Sequence, residues 1–129
     1  NQGKWRDRTG HKDGAFEGYA NLERWYLARK RAVDPQVLVD WCHLAQSLQE
    51  YDELARVSTR LLDRLQATPP RGPRDRKQWF AWRDKGRGQR ASVLLHRGDH
   101  EAAKALYEEA KKAPGHRPTD TLWAPFQGR

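Results

Sequence analysis

Apolar residues recur every three to four positions through most of this chain, the period of an amphipathic α-helix. Ala15, Tyr19, Leu22 and Tyr26 mark a first helix, with Trp25, Ala28 and Ala32 widening its face. Val37, Trp41, Leu44, Ala45 and Leu48 mark a second. Leu54, Val57, Ser58, Leu61, Leu62 and Leu65 mark a third, with the cleanest 3.6-residue period in the chain. A fourth carries Trp79, Phe80, Trp82, Ala91, Val93, Leu94 and Leu95, and a fifth carries Ala102, Ala103, Leu106, Tyr107 and Ala110. Nowhere does a β-branched alternation predict a strand, and isoleucine is absent. The expected fold class is all-α, with about five helices.

The punctuation between these segments is specific. Proline disfavours helical geometry at Asp34, which ends the first helix; Asp34 then caps the second, with Pro35 at its first position. A break of about three residues is expected around Gln49 to Tyr51. From Ala67 to Lys77, Pro69, Pro70, Gly72 and Pro73 predict a long basic linker, after which Asp75 caps the fourth helix. Gly86 and Gly88 lie inside that helix; they either break it or admit a close neighbour. Gly98 ends it, Asp99 caps the fifth, and Pro114-Gly115 stops the fifth. Leu122, Trp123 and Phe126 supply enough apolar surface for the tail to dock back. The expected organisation is a basic flexible arm over 1–13 and one helical domain over 14–129, interrupted by the Pro-rich basic linker at 67–77.

The stretch from Arg97-Gly98-Asp99 through Ala103, Tyr107 and Ala110 to Pro114 resembles the second half of a tetratricopeptide repeat, a family that joins two antiparallel helices by a Gly-Asp-aromatic turn. Ala103 and Ala110 let that helix approach its neighbours, and Tyr107 fills the space between hairpins. His100 stands where the family has an aromatic residue, and Arg90 where it has Leu. An earlier echo pairs Tyr51, Leu54, Ser58 and Leu61 with His100, Ala103, Tyr107 and Ala110, with a shortened turn before it. The resemblance implies antiparallel helical hairpins stacked as a short array; a non-repetitive helical bundle is the other reading. It also implies a non-catalytic interaction module whose groove takes a protein or peptide, such as an acidic segment or a C-terminal carboxylate. Arg83, Arg87 and Arg90, at i, i+4 and i+7, would face that groove and make bidentate contacts.

Charge adds a second reading. Residues 69–98 hold nine Lys/Arg against two Asp/Glu, nearly all of the net charge of +8. There Arg74, Lys77, Arg83, Arg87 and Arg90 interleave with Trp79 and Trp82, a pattern suited to RNA or single-stranded nucleic acid, where cations neutralise phosphates and bases stack on exposed rings. If instead the rings are core, the charges are a solvated face. A third class is a structural subunit of a larger assembly. Exposure of Trp79 and Trp82 decides between stacking and packing.

Hydrophobic residues are only 36% of the chain, so the core is small and rests on its aromatics, among them six Trp. No apolar run approaches the ~20 residues that cross a bilayer. The chain has no methionine, even at position 1, and no apolar leader, and is expected to be a processed or excised piece of a cytoplasmic protein. Cys42, the lone cysteine, sits in an apolar stretch and reads as a small buried hydrophobe, with a reactive thiol as the alternative. His96 and His100 have ligand-like spacing but straddle Gly98 and find only Asp99 as a third group, so neither a metal nor a cofactor is expected. Trp79-Phe80-Ala81-Trp82-Arg83 is similar to a segment of animal-type lysozymes. Those enzymes need several disulfides, a β-hairpin and a paired Glu and Asp, so no catalytic residue is assigned.

Overall fold

Residues 12–127 are described by the structure, a computed structural model. They form five α-helices and a terminal 3-10 helix: α1 Lys12–Ala28, α2 Pro35–Ser47, α3 Tyr51–Ala67, α4 Pro73–His96, α5 His100–Lys111 and the 3-10 helix Thr121–Phe126. Among these residues there is no strand, and the fold is all-α. The basic arm expected over 1–13 lies, but for the first two residues of α1, outside the described residues. No described helix is long and apolar enough to cross a membrane.

Local chemistry starts the helices where expected. Asp34 accepts from the Gln36 N–H at 2.9 Å with Pro35 in the first turn, and Asp99 accepts from the Ala102 N–H at 3.2 Å. The linker is shorter than the expected 67–77. Pro73, not Asp75, opens α4, because proline at the first helical position has the right φ and lacks only an N–H that the helix would leave unpaired. Gly72 is the N-cap, without a side-chain bond, and five residues separate α3 from α4.

Three helices end alike. After α1, α2 and α4, paired backbone bonds close a Schellman turn: Arg31 N–H to Tyr26 O (3.0 Å), Glu50 N–H to Ala45 O (2.9 Å) and Asp99 N–H to Leu94 O (2.9 Å). The left-handed residue is Gly98 in the last, but Lys30 (φ 55°) and Gln49 (φ 56°) in the others. The first helix therefore ends at Ala28, short of Asp34-Pro35, and Ala32 is exposed in the connection. The α2–α3 and α4–α5 connections have the same length, three residues each, so the first is not shortened. Because side chains strain this conformation, Gln49→Gly is expected to raise stability by up to about 1 kcal/mol in urea denaturation; a loss would contradict the strain.

α4 lies at the centre, packing on α2, α3, α5 and the 3-10 helix, while α1 packs on α2. The main core gathers Phe16, Leu38, Trp41, Cys42, Ala45, Leu54, Val57, Leu61, Leu65 and Val93. Leu38 and Cys42 thus join Trp41 and Ala45 on the buried side of α2, and Leu48 is exposed at the helix end. On α1 the buried face is rotated from the expected stripe. Phe16 turns inward, as does Glu23, which forms an ion pair with Arg60 of α3; Leu22, Trp25 and Leu27 remain 40%, 42% and 57% exposed. α1 rests on α2 and, among the described residues, is bonded to α3 only through the Glu23–Arg60 pair, a narrow contact that leaves Leu22, Trp25 and Leu27 outside.

α4 runs unbroken through both glycines. A Cβ on Gly86 would lie 3.0 Å from Leu62 Cδ2 and 3.1 Å from Leu61 Cδ2, and one on Gly88 would lie 2.9 Å from Leu122 Cβ. The glycines are seats for α3 and for the tail. The tail does dock: Trp123 is fully buried with Ala91 and Ala110, against Leu106, Tyr107 and Phe126. Cys42 is fully enclosed, and burial, with the Glu53 charge adding to it, pushes its thiol up to about 12. The folded protein should therefore resist thiol-alkylating reagents at pH 8 and react once unfolded; fast labelling in native buffer would contradict the burial.

Candidate interaction site

A trough of about 450 Å³ opens between α3, α4 and α5. Leu62, Leu65 and Leu106 give it an apolar lining, with Gln66, Trp79, Arg83, Arg87 and Glu109 around them. The third helix contributes because Leu62 sits beside the buried stripe of Leu61 and Leu65 and is only partly covered. The fourth contributes because positions 79, 83 and 87 recur at four-residue spacing and fall on one face.

The two trough arginines differ in their partners. Arg87 donates to Glu109 Oε1 at 3.1 Å, with only 16% of its side chain exposed. Arg83 lies over the rings of Trp79 and Phe80, 5.0 Å from each centroid, and no hydrogen-bond acceptor engages it among the described residues. Burial, followed by the charge of Arg87, lowers the affinity of Arg83 for its proton, while Glu109 and Asp84 act in the opposite sense. A guanidinium keeps its charge at neutral pH all the same. The trough thus holds a partly desolvated cation beside another cation and a single carboxylate.

Of the residues singled out from the sequence, the fold brings Trp79, Arg83 and Arg87 together here. Arg90 lies farther along α4 and donates to Thr59 Oγ1 at 2.6 Å. Trp82 turns toward α2, donating its indole N–H to Gln36 Oε1 at 3.1 Å. The Trp79 indole donates to Leu65 O at 2.8 Å, satisfying one of the carbonyls that the end of α3 leaves open. Both rings are partly buried against the core, and both also line a hollow of about 310 Å³ together with Pro35, Arg64, Arg71 and Asp75. Arg74 and Lys77 are exposed at the start of α4 and do not line the trough.

Two other features escaped the sequence reading. A larger hollow, about 930 Å³, lies between α5 and the 3-10 helix; Lys111 pairs there with Glu108 at 3.1 Å and Tyr107 stacks on Phe126 at 5.0 Å, while His100 and Lys104 line it without a side-chain bond among the described residues. On the tail side of α4, Asp84 is 5% exposed. Its Oδ1 lies 2.9 Å from His116 Nδ1, and its Oδ2 accepts from Arg117 N–H (3.1 Å) and Trp123 Nε1 (3.2 Å). Beside it, Lys85 pairs with Asp120 at 2.7 Å. Burial alone would raise the Asp120 carboxyl, but the Lys85 and Leu122 hydrogen bonds and the Lys85 and Arg117 charges hold it below its usual value. An acid within an arginine-rich helix carries no sequence signal for such a role. No nucleophile is hydrogen-bonded to the Asp84–His116 pair among the described residues, and the other bonds of Asp84, to Arg117 N–H and the Trp123 indole, fasten the tail.

No protein-family model, curated protein or solved structure matches this chain.

Proposed function

We propose that the chain is a non-catalytic interaction module, a short tetratricopeptide-like pair of helical hairpins, that holds an acidic peptide segment in the trough between α3, α4 and α5. The observation that carries this reading is Arg83, a half-buried guanidinium set over two rings, without an acceptor among the described residues, beside an apolar wall. A peptide carboxylate would supply the missing acceptor and offset the repulsion from Arg87, while an adjacent apolar side chain covers Leu62, Leu65 and Leu106. The matching three-residue connections in the two hairpins support the repeat reading.

Fluorescence anisotropy on an array of labelled peptides tests this, each acidic–apolar sequence being paired with its Gln/Asn counterpart. Acidic members should bind, and the double variant Arg83→Gln, Arg87→Gln should bind them at least about tenfold more weakly, as expected when charge-assisted bonds are lost. Equal binding of acidic and neutral members, or an unaffected double variant, would remove the basis of the proposal. A second reading, subunit of a larger helical assembly, draws on exposed Leu22, Trp25 and Leu27. It predicts concentration-dependent association in sedimentation that Leu27→Glu abolishes.

A further inference from the structure

Given the peptide-binding reading of the trough, we infer that its two arginines take two acids spaced two residues apart in one extended segment. Glu109 is then a built-in competitor, holding Arg87 until the second acid displaces it. Arg83, Arg87 and Glu109 all line the trough. Arg87 is bonded to Glu109 at 3.1 Å, while Arg83 has no acceptor among the described residues. The charges of Arg87 and Glu109 both act on Arg83, in opposite senses, so the three groups share one local field.

The Arg87–Glu109 pair is lopsided. The arginine side chain is 16% exposed and the glutamate 64%, so the cation belongs to the trough and the acid to its rim. Among the described residues no other basic group forms an ion pair with Glu109. Glu109 also lies in the last turn of α5, where the helix dipole disfavours a negative charge. A pair with so exposed a partner contributes little to stability. A peptide acid is better placed, because the same segment can cover Leu62, Leu65 and Leu106, which Glu109 leaves open. The first acid engages Arg83 and the second takes Arg87, and Glu109 turns out into the solvent that already surrounds most of it.

The spacing of the acids follows from α4. Helical residues four apart rise about 6 Å along the axis and face the same way. In an extended segment, residues two apart also face the same way and lie about 7 Å from each other. Adjacent acids point to opposite sides, so only one of them enters. A helical segment suits the trough less well. It is about 10–12 Å across with its side chains, so a volume of about 450 Å³ matches roughly one turn of it. Gln66, exposed on the rim without a side-chain bond among the described residues, can donate to a carbonyl of the extended backbone.

Anisotropy on the whole chain tests this with labelled peptides of one host sequence. They carry two Glu at i and i+2, two Glu at i and i+1, a single Glu, or Gln throughout, each beside the same Leu. Wild type should bind the i, i+2 peptide most tightly and the Gln peptide least. Glu109→Gln should tighten the i, i+2 peptide by about two- to fivefold, the size of an exposed pair, and the single-acid peptide by less than about twofold. Arg87→Gln should bring the i, i+2 peptide to the single-acid level, and adding Glu109→Gln to it should bring no further gain. The thermal midpoint of Glu109→Gln should match wild type, which sets aside a structural cause. The inference is overturned if Glu109→Gln leaves the i, i+2 affinity unchanged or weaker, or if adjacent acids bind as well as spaced ones. In both cases acids that still outbind Gln would leave the peptide-binding reading standing. Equal binding of all four peptides would overturn that reading and the inference together.

Discussion

Asp84→Ala should loosen the whole C-terminal segment, at a cost of about 3–5 kcal/mol, the range for removing one partner from a buried charged cluster. The carboxylate serves His116 Nδ1, the Arg117 N–H and the Trp123 indole at once, and each loses its acceptor at a site where Asp84 is only 5% exposed. The main core is made by other residues, so the damage should be local first. Hydrogen exchange should accelerate over 113–127 at denaturant concentrations where α2 and α3 remain protected. Asp84→Asn, which keeps an oxygen acceptor, should cost less. Unchanged protection in the alanine variant would show that Trp123 holds the tail by apolar burial alone.

Acid should act on the same segment through Asp120. Its folded carboxyl titrates below the unfolded value, so its contribution to stability is present above about pH 4. That contribution is lost as pH falls through the lower folded value. Exchange over 113–127 should therefore speed up in that window, and the Asp120→Asn variant should not show this step.

The second large effect is expected at Trp41→Ala, about 3–5 kcal/mol of global stability. Trp41 is 1% exposed, stacks with Tyr19 of α1 at 6.0 Å, carries Arg56 over its ring at 5.2 Å and donates to Glu53 at 2.8 Å. One side chain thereby joins α1, α2 and α3. Against a typical domain stability of about 5–15 kcal/mol, this substitution brings the protein close to unfolding at ordinary temperature. Urea midpoints measure it, and Cys42, the next residue, should become alkylatable at low urea in the variant. A shift below about 1.5 kcal/mol would mean that the cavity collapses onto neighbouring rings.

Much of the fold was legible before any coordinates. Helical periodicity placed all five helices, because apolar side chains on one face must be covered and the period of that face is set by backbone geometry. Asp34-Pro35 and Gly98-Asp99 located caps and ends, since those residues act on their own backbone. Trp123 and Phe126 announced a docking tail. The limits showed where two backbones or two charges meet. Nothing local indicates that Lys30 and Gln49 take the conformation usually left to glycine; closing the turns imposes it. The stripe on α1 came out rotated because its depth depends on α2 and on the Glu23–Arg60 pair, not on α1 alone.

The same division runs through the candidate sites. Residue order alone determined that Arg83, Arg87 and Arg90 share one flank of a helix, since their spacing is a property of the helix itself. Only the tertiary structure decided that Arg90 is taken by Thr59, Arg87 by Glu109, and Arg83 by no oxygen among the described residues. α4 shows the reason. Sandwiched between α2 and α3 on one side and α5 with the tail on the other, it has no single apolar face. Its buried positions include Asp84, Gly86, Gly88 and Gln89, residues whose covering comes entirely from other parts of the chain.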